Sequence, residues 1–537
     1  MKIKKVNIEN YKCFKGQFSL ELNPDINILV GNNEAGKSTI LEAIHLALSG
    51  MLNGKYLKNE LTQYLFNNEV VYEYIASDKT QSLPQILIEV YFSGEECPLF
   101  EGNGNSEKAK GCGVSFKIEF DTDYQDEYEA LIKSGDINSI PIEYYRISWK
   151  SFARESISSR SIPIRSVLID SSSNRYQNGS DVYISRLIRD SLDDDEKAKI
   201  SQAYRKMKDV FMQEDSVQAI NNKIKDKAKV SEKEVKISVD LSTRNAWETT
   251  LMTYLDDIPF HQIGMGEQCI VKTNLALDHK KSKEANLILL EEPENHLSHT
   301  KLNQFVKSIQ DNCKGKQIII STHNSFVANK LGLDYLMLLN NQKVIRLTAL
   351  QPETQNFFKK LSGYQTLRLI LCEKAILVEG DSDELVVQKA YMKFNEGRLP
   401  IENGLDVISV KLTFKRFLEI AEKIDKQVVV ITDNDGDFEN NITKKYQNFD
   451  GKPFIKICAD DRNELKTLEP QFVDANKDQL DVLCRAIGVN QADYNTESDI
   501  VKYMISNKTT WSLRLFESDE PVRFPQYIID AIKWCNE

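Results

Sequence analysis

The sequence predicts an α/β protein made of two strand–helix blocks in series, the first interrupted by a charged helical segment. Three observations carry that prediction. A buried strand over 25–31 runs into a glycine-bracketed turn and then a helical pattern over 38–48. Apolar runs ending near 290, 378 and 431 each stop at carboxylates, as strands do when they deliver polar side chains to the carboxyl edge of an open sheet. Strand–helix alternation then resumes near 371 and continues to the end of the chain.

Bulk composition bounds the rest. A chain of 537 residues is long for one core, and about two to four domains are expected. Hydrophobic residues at 41% and charged residues at 28% are ordinary for a soluble globular protein. No apolar run reaches the ~18 residues a membrane helix needs. The first ten residues alternate like a strand and do not read as a secretory signal. A cytoplasmic protein with no membrane partner is therefore expected. Nine cysteines, an odd number with no Cys-x-x-Cys pair, fit a reducing compartment and argue against structural zinc. A net charge of −11 argues against a chain coated in nucleic acid but leaves local basic grooves open.

The elements follow in order. Alternation over 3–8 and 18–22 predicts a hairpin-like start. Ile40, Leu41, Ile44, Leu46 and Leu48 lie at helical spacing. A break over 50–80 precedes a strand over 85–92. Glycine and charge over 94–115 predict a mobile loop. Residues 181–233 are helical in pattern and highly charged, an inserted subdomain. Strands are expected over 235–241, 286–290 and 317–321. No internal repeat and no long heptad run is present.

The first chemical motif is Gly31-Asn32-Asn33-Glu34-Ala35-Gly36-Lys37-Ser38-Thr39. It fits G-x-x-x-x-G-K-[ST] and sits between a strand and a helix, the context that separates a phosphate-binding loop from a chance glycine turn. The glycines let backbone N–H groups turn inward, and the helix N-terminus favours anions. Lys37 is expected to reach the β- and γ-phosphates of ATP, and Ser38 to hold Mg²⁺. The run 287–290 then delivers Glu291 toward the Mg²⁺ shell and Glu292 toward the attacking water. The next strand ends at His323, placed to contact the γ-phosphate.

The second motif is acidic. Glu379 ends one strand, and Asp433 and Asp435 end another. Carboxylates brought to one spot cannot all stay ionised without a cation. Hard oxygen donors of this kind suit Mg²⁺ or Mn²⁺. Gly380 is expected to let the chain turn tightly past the ion. Glu384 and Asp437 read as extra ligands or as plain surface acids. Two basic stretches have open readings. Arg146, Lys150, Arg154, Arg160 and Arg165, interleaved with Trp149 and Phe152, either grip a phosphate backbone or form a sheet edge. Lys411, Lys415 and Arg416 follow a strand near the acids and pose the same choice.

The order of these motifs resembles known families. The nucleotide loop, Gly264-Met-Gly266-Glu-Gln268, Glu291-Glu-Pro-Glu-Asn-His-Leu297 and Ser321-Thr-His323 together resemble the ABC-type ATPase heads of SMC and RecF-like proteins. Ile8 to Phe14 resembles their first strand and turn. The resemblance implies that Gly264, Gly266 and Gln268 close on the ATP of a second copy, making a homodimer or higher oligomer, with 294–298 as the D-loop. The chain departs from the pattern twice. Glu291 stands where Asp is usual, and Gly264 where a serine is common. The block from 371 resembles a Toprim domain, marked by Glu379-Gly380-x-x-Asp383 and Asp433-x-Asp435. An ABC-type head followed by Toprim resembles the OLD (overcoming lysogenisation defect) nucleases. That implies ATPase parts at 1–180 and 234–350, a helical dimerisation insert at 181–233 and a Toprim nuclease domain at 371–537. It adds Glu469 as a further metal ligand and Lys508 as a catalytic cation. It implies a metal-dependent DNA endonuclease or nickase of antiphage defence, working beside a second component such as a helicase or a retron complex. The competing reading is an ATP-driven DNA-binding clamp or sensor whose Toprim domain is silent.

Overall fold

The computed structural model describes residues 1–536 except 33, 54, 78–81, 94–96, 135–138, 171–175, 178–179, 182–183, 185–191, 228–234, 239–251, 279–283, 296, 313–314, 325–326, 328–334, 341, 347–349, 355–356 and 358–363. The chain divides into two compact units, Met1–Leu29 with Gly36–His323, and Val30–Ala35 with Asn324–Glu537.

The first unit holds two sheets. Lys2–Glu9 pairs antiparallel with Gln17–Glu21 on one side and Ile86–Ser93 on the other, so the hairpin start is present. Gly111–Phe120 and Tyr145–Ser151 extend this sheet. Part of the stretch expected as a mobile loop is therefore ladder, and the glycines have a packing cause. A Cβ on Gly113 would lie 2.4 Å from the Val90 carbonyl and 2.5 Å from the Phe152 ring. A Cβ on Gly102 would lie 2.1 Å from the Phe152 carbonyl. These glycines make room for one buried aromatic residue; they do not mark a turn.

The second sheet of this unit is parallel, in the order Ser166–Asp170, Leu287–Glu291, Gln317–Ser321, Ile26–Gly31. Leu287 to Leu290 are buried without alternation, as strands covered on both faces require. Helix Lys37–Ser49 buries Ile40, Leu41, Ile44, Leu46 and Leu48 and ends at Gly50 in the left-handed conformation, φ 69°. Of the inserted segment, Asp194–Gln213 and Asp215–Lys227 are helices, the first opened by an Asp193–Glu196 capping box. The strand expected over 235–241 is absent over 235–238, and 239–241 lies outside the described residues.

The second unit contains the antiparallel pair Leu336–Asn340 and Lys343–Arg346. Beyond it a four-stranded parallel sheet runs in the order Leu405–Ser409, Lys374–Val378, Gln427–Ile431, Ile455–Cys458. One continuous core joins Val378, Val386, Ile431, Phe472, Trp511 and Ile528. Among the described residues no helix is long and apolar enough to cross a membrane.

Candidate nucleotide loop and carboxylate cluster

Gly36 caps the helix after the nucleotide loop at φ 91°, which only glycine adopts without strain. A Cβ there would also lie 2.5 Å from the Phe14 ring. The helix carries no acid in its first turn, leaving its N-terminus free to favour an anion. The Ala35 N–H donates to the Asn32 carbonyl at 3.2 Å, and Asn33 lies outside the described residues. A Cβ on Gly31 would lie 2.6 Å from the Leu339 carbonyl. The Cys13 thiol approaches the Thr39 hydroxyl at 3.5 Å.

Burial lowers the Lys37 pKa, while the carboxylates of Glu292 and Glu294 act to raise it. Burial raises the Glu291 pKa, and a hydrogen bond from the Ser38 hydroxyl opposes that rise. Thus Ser38 and Glu291 stand together at the point expected for an ion. Glu292 sits at φ 38°, a left-handed backbone unusual for a non-glycine residue. Its Oε2 accepts from Asn295 Nδ2 at 3.0 Å and its Oε1 meets His323 Nε2 at 2.5 Å.

The sequence placed Glu294 only at the head of the expected D-loop, with no role of its own. It is buried, accepts from the Thr322 hydroxyl and from the His323 N–H at 3.0 Å, and its Oε2 has no hydrogen-bond partner among the described residues. Its place two residues past the paired acids was the local signal. In the signature segment a Cβ on Gly264 would meet nothing within 4 Å. Gly266 lies in the first turn of helix Met265–Asp278. Gln268 is buried, with Nε2 donating to the Ile263 carbonyl at 2.9 Å. His296 of the expected D-loop lies outside the described residues.

In the second unit the carboxylates gather at the carboxyl ends of the parallel strands. Glu379 follows strand Lys374–Val378, and its Oε1 accepts from Thr432 Oγ1 at 2.6 Å and from the Asp433 N–H at 3.2 Å. Asp383 reaches back to accept the Gly380 N–H at 3.1 Å, opening helix Asp381–Phe394. The chain bends at Glu379–Gly380, but Gly380 itself is extended, φ −141°, so the bend does not call on a glycine-only conformation. The left-handed turn lies at Asp435 and Gly436, φ 51° and 83°. Glu469 is buried, held by Thr467 Oγ1 at 2.7 Å and by Lys508 Nζ at 3.0 Å. Phe472 and Trp511, each three residues further along the same two helices, pack at 5.8 Å between ring centroids. That contact sets Glu469 and Lys508 face to face.

Burial, then Glu379, Asp383, Glu469 and Asp435, push the Asp433 carboxyl up to about 8. Burial and Glu379 push Asp383 up to about 6. Burial acts to lower the Lys508 pKa, but its hydrogen bond to Glu469 and the neighbouring carboxylates raise it overall. Among the described residues no three His, Cys, Asp or Glu side chains enclose an ion as they stand. The donor set is all oxygen, which suits a hard divalent ion.

Sequence reading missed Asn434, between the two aspartates. Fully buried, its Nδ2 donates to the carbonyls of Asp460, Arg462 and Leu465 at 2.8, 2.9 and 3.2 Å, and its Oδ1 accepts from the Gly436 N–H at 2.8 Å. It pins the loop that carries Asp433 and Asp435. Asn434→Ala is expected to cost about 2–4 kcal/mol, from several lost hydrogen bonds and buried carbonyls left unpaired; thermal unfolding checks it.

Metal-free stability is expected to depend on pH. Asp433 and Asp383 have folded pKa values above the usual carboxylate range. Their stabilising contribution is full below about pH 4 and is lost as pH rises through about 6 and then about 8. In chelator the melting temperature should fall from pH 5 to pH 9, and Mg²⁺ should restore most at the alkaline end.

Several of the remaining acids and cations have structural partners. Glu384 faces Arg368 at 3.5 Å, and Arg368 forks onto Asp406 at 2.7 and 3.0 Å. Asp437 accepts from the Asn440 backbone and side chain. Arg146 pairs with Glu119 and Asp121, Arg165 with Glu284, and Trp149 Nε1 donates to the Ala47 carbonyl. The first basic stretch is thus in part a sheet edge. Arg416 stacks on Phe357 at 4.0 Å.

Comparison with known proteins agrees with this layout. The family model described as the AAA ATPase domain matches residues 1–328. The TOPRIM domain of overcoming lysogenization defect protein-like proteins matches residues 370–435. An ATPase domain with a Toprim domain behind it is therefore the class. The chain belongs to the AAA ATPase domain family, in the ATPase–Toprim arrangement of the OLD family. The DNA replication and repair protein RecF of Clostridium tetani (strain Massachusetts / E88) is 29% identical over 86 residues, 16% of this chain and 22% of that protein. The chain spans between 13% and 22% of the length of the curated relatives it matches. The SMC head domain from Thermotoga maritima is 13% identical, covering 65% of this chain and 99% of that one, with a TM-score of 0.29. The C-terminal region of the Burkholderia pseudomallei OLD protein is 16% identical, covering 31% and 98%, with a TM-score of 0.25.

Proposed function

We propose that the chain is an ATP-binding and ATP-hydrolysing, divalent-metal-dependent DNA endonuclease that nicks its substrate in antiphage defence. The observation that carries this reading is the convergence of Glu379, Asp383 and Glu469 on a buried Asp433, where burial first and then those carboxylates lift its pKa to about 8, with Lys508 paired to Glu469. Such a cluster is costly unless a cation belongs there. Glu379, Asp383, Asp433, Asp435 and Glu469 would hold Mg²⁺ or Mn²⁺. Bound ions would supply an activated water and neutralise phosphoryl charge. Lys508, fixed by Glu469, holds a positive charge where a scissile phosphate would gain it.

In the ATPase domain, Lys37 binds the phosphates, and Ser38 with Glu291 holds Mg²⁺. Glu292, oriented by Asn295 and touching His323, positions the attacking water. Gly264, Gly266 and Gln268 serve a second copy, so the working form is a homodimer or higher oligomer. We assign the ATPase parts to 1–180 and 234–350, the helical insert to 181–233 and the Toprim nuclease domain to 371–537. DNA is the substrate in a cytoplasmic setting, and a helicase or retron complex is the second component.

The test is direct. The purified chain with supercoiled plasmid and Mg²⁺ or Mn²⁺ is expected to give open-circular product, and chelator to abolish it. Intact plasmid under every metal and every ATP state would leave the clamp or sensor reading in its place.

A further inference from the structure

A cleft of about 450 Å³ opens in the second unit between the end of helix Asp381–Phe394, helix Leu468–Ala475 and residues 523–529. Its walls include Lys393, Phe394, Arg462, Asp474, Arg523 and Phe524. Three of these are cations and one is an acid. Arg462 is satisfied by Asp460 at 2.7 Å and Asp474 at 2.6 Å. Lys393 is different. Its Nζ donates to the Val522 carbonyl and lies 5.9 Å from the Phe524 ring centroid, and among the described residues no carboxylate pairs with it. Burial lowers its pKa, and the neighbouring Arg523 lowers it further. Among the described residues the Arg523 guanidinium pairs only with Asp478, at 3.5 Å across two exposed side chains. Two like charges held side by side without a buried counter-ion favour an anion between them.

The aromatic wall narrows the kind of anion. Phe524 is buried, whereas Phe394, also in the wall, is 47% exposed. Cations beside an open aromatic face suit a phosphate joined to a base: the charge is met by Lys393 and Arg523, and the ring stacks on Phe394. The cleft is also tied to the carboxylate loop. The Arg462 carbonyl accepts from Asn434 Nδ2, and Gln471 of the lining stands two residues after Glu469.

We propose that this cleft is a nucleotide-phosphate site, separate from the ATP loop, which takes either one unit of a single strand or a free mononucleotide. The site does not depend on the cleavage reading, because binding is read in chelator without turnover.

The experiment uses the full chain in chelator without ATP, titrated with fluorescein-labelled short oligothymidylate and followed by anisotropy. Lys393 acetylation is mapped by peptide mass with and without oligothymidylate, thymidine monophosphate or inorganic phosphate. The double change Lys393→Glu/Arg523→Glu is expected to weaken oligothymidylate at least ~10-fold and to reduce the salt slope by about 0.7, the share of the one phosphate held between the two cations. Phe394→Ala should weaken it ~5-fold or more with the salt slope unchanged. Arg523→Gln, whose parent side chain is 59% exposed, is the control against misfolding and should still weaken binding. Protection of Lys393 by both nucleotide probes assigns a free nucleotide, and protection by the oligomer alone assigns a strand; both support the site. Binding unchanged in Arg523→Gln and in the double variant overturns it. So does an unprotected Lys393, or protection by phosphate equal to that by nucleotide.

Discussion

Glu379→Gln is expected to abolish metal-dependent plasmid cleavage while making the metal-free protein more heat-stable at pH 8. The two effects have one cause. Glu379 Oε1 accepts from Thr432 Oγ1 and from the Asp433 N–H, and an amide oxygen keeps both bonds. The strand-end geometry should therefore survive. What disappears is a negative charge that raises the pKa of both Asp433 and Asp383. With less repulsion both carboxyls ionise more readily, and the stability lost between pH 5 and pH 9 shrinks. The same charge is what a divalent ion would use, so cleavage should fall more than ~100-fold, beyond the loss that outer-sphere changes around a metal cause. The Mg²⁺-induced rise in melting temperature should shrink with it. Cleavage retained in Glu379→Gln would remove the carboxylate cluster from the chemistry. A variant that loses both activity and metal-free stability would mean that Glu379 is structural.

Strand ends were readable from the chain because an apolar run that stops at an acid is a local signal. Leu287–Glu291, Lys374–Val378 and Gln427–Ile431 stand within a few residues of where their patterns placed them. Partners supplied by distant segments carry no such signal. Nothing near Asn434 announces that it bonds three carbonyls of the 460–465 loop. Nothing near Lys508 shows that Trp511, one turn on, docks its helix against the helix of Glu469. Composition also misled. Glycines over 102–113 look like turn residues, but Gly102 and Gly113 yield space to Phe152, which stands just past the end of strand Tyr145–Ser151. Gly380 was assigned the tight turn because it follows the metal-side glutamate, whereas the left-handed backbone falls at Asp435 and Gly436.

Lys37→Ala and Glu292→Gln are expected to stop ATP hydrolysis in different ways, and the difference tests the nucleotide site as built. Lys37 is buried, with Glu292 and Glu294 as its nearest acidic influences. Removing its ammonium leaves those carboxylates facing the phosphate position uncompensated. Nucleotide affinity and hydrolysis should both fall, hydrolysis more than ~100-fold. Glu292→Gln keeps an oxygen and an amide for Asn295 and His323, so the backbone at φ 38° should hold. ATP should still bind, while a water-orienting carboxylate is gone and hydrolysis falls by a similar factor. If the signature segment of a second copy closes on bound ATP, Glu292→Gln should accumulate the closed dimer with ATP, and Lys37→Ala should not. Phosphate release, nucleotide titration and sedimentation with and without ATP separate the cases. Equal loss of ATP binding in both variants would show that Glu292 supports the loop and does not orient water. ATP-free, metal-dependent cleavage should persist in both, since neither change touches the carboxylates that end the strands at 378 and 431.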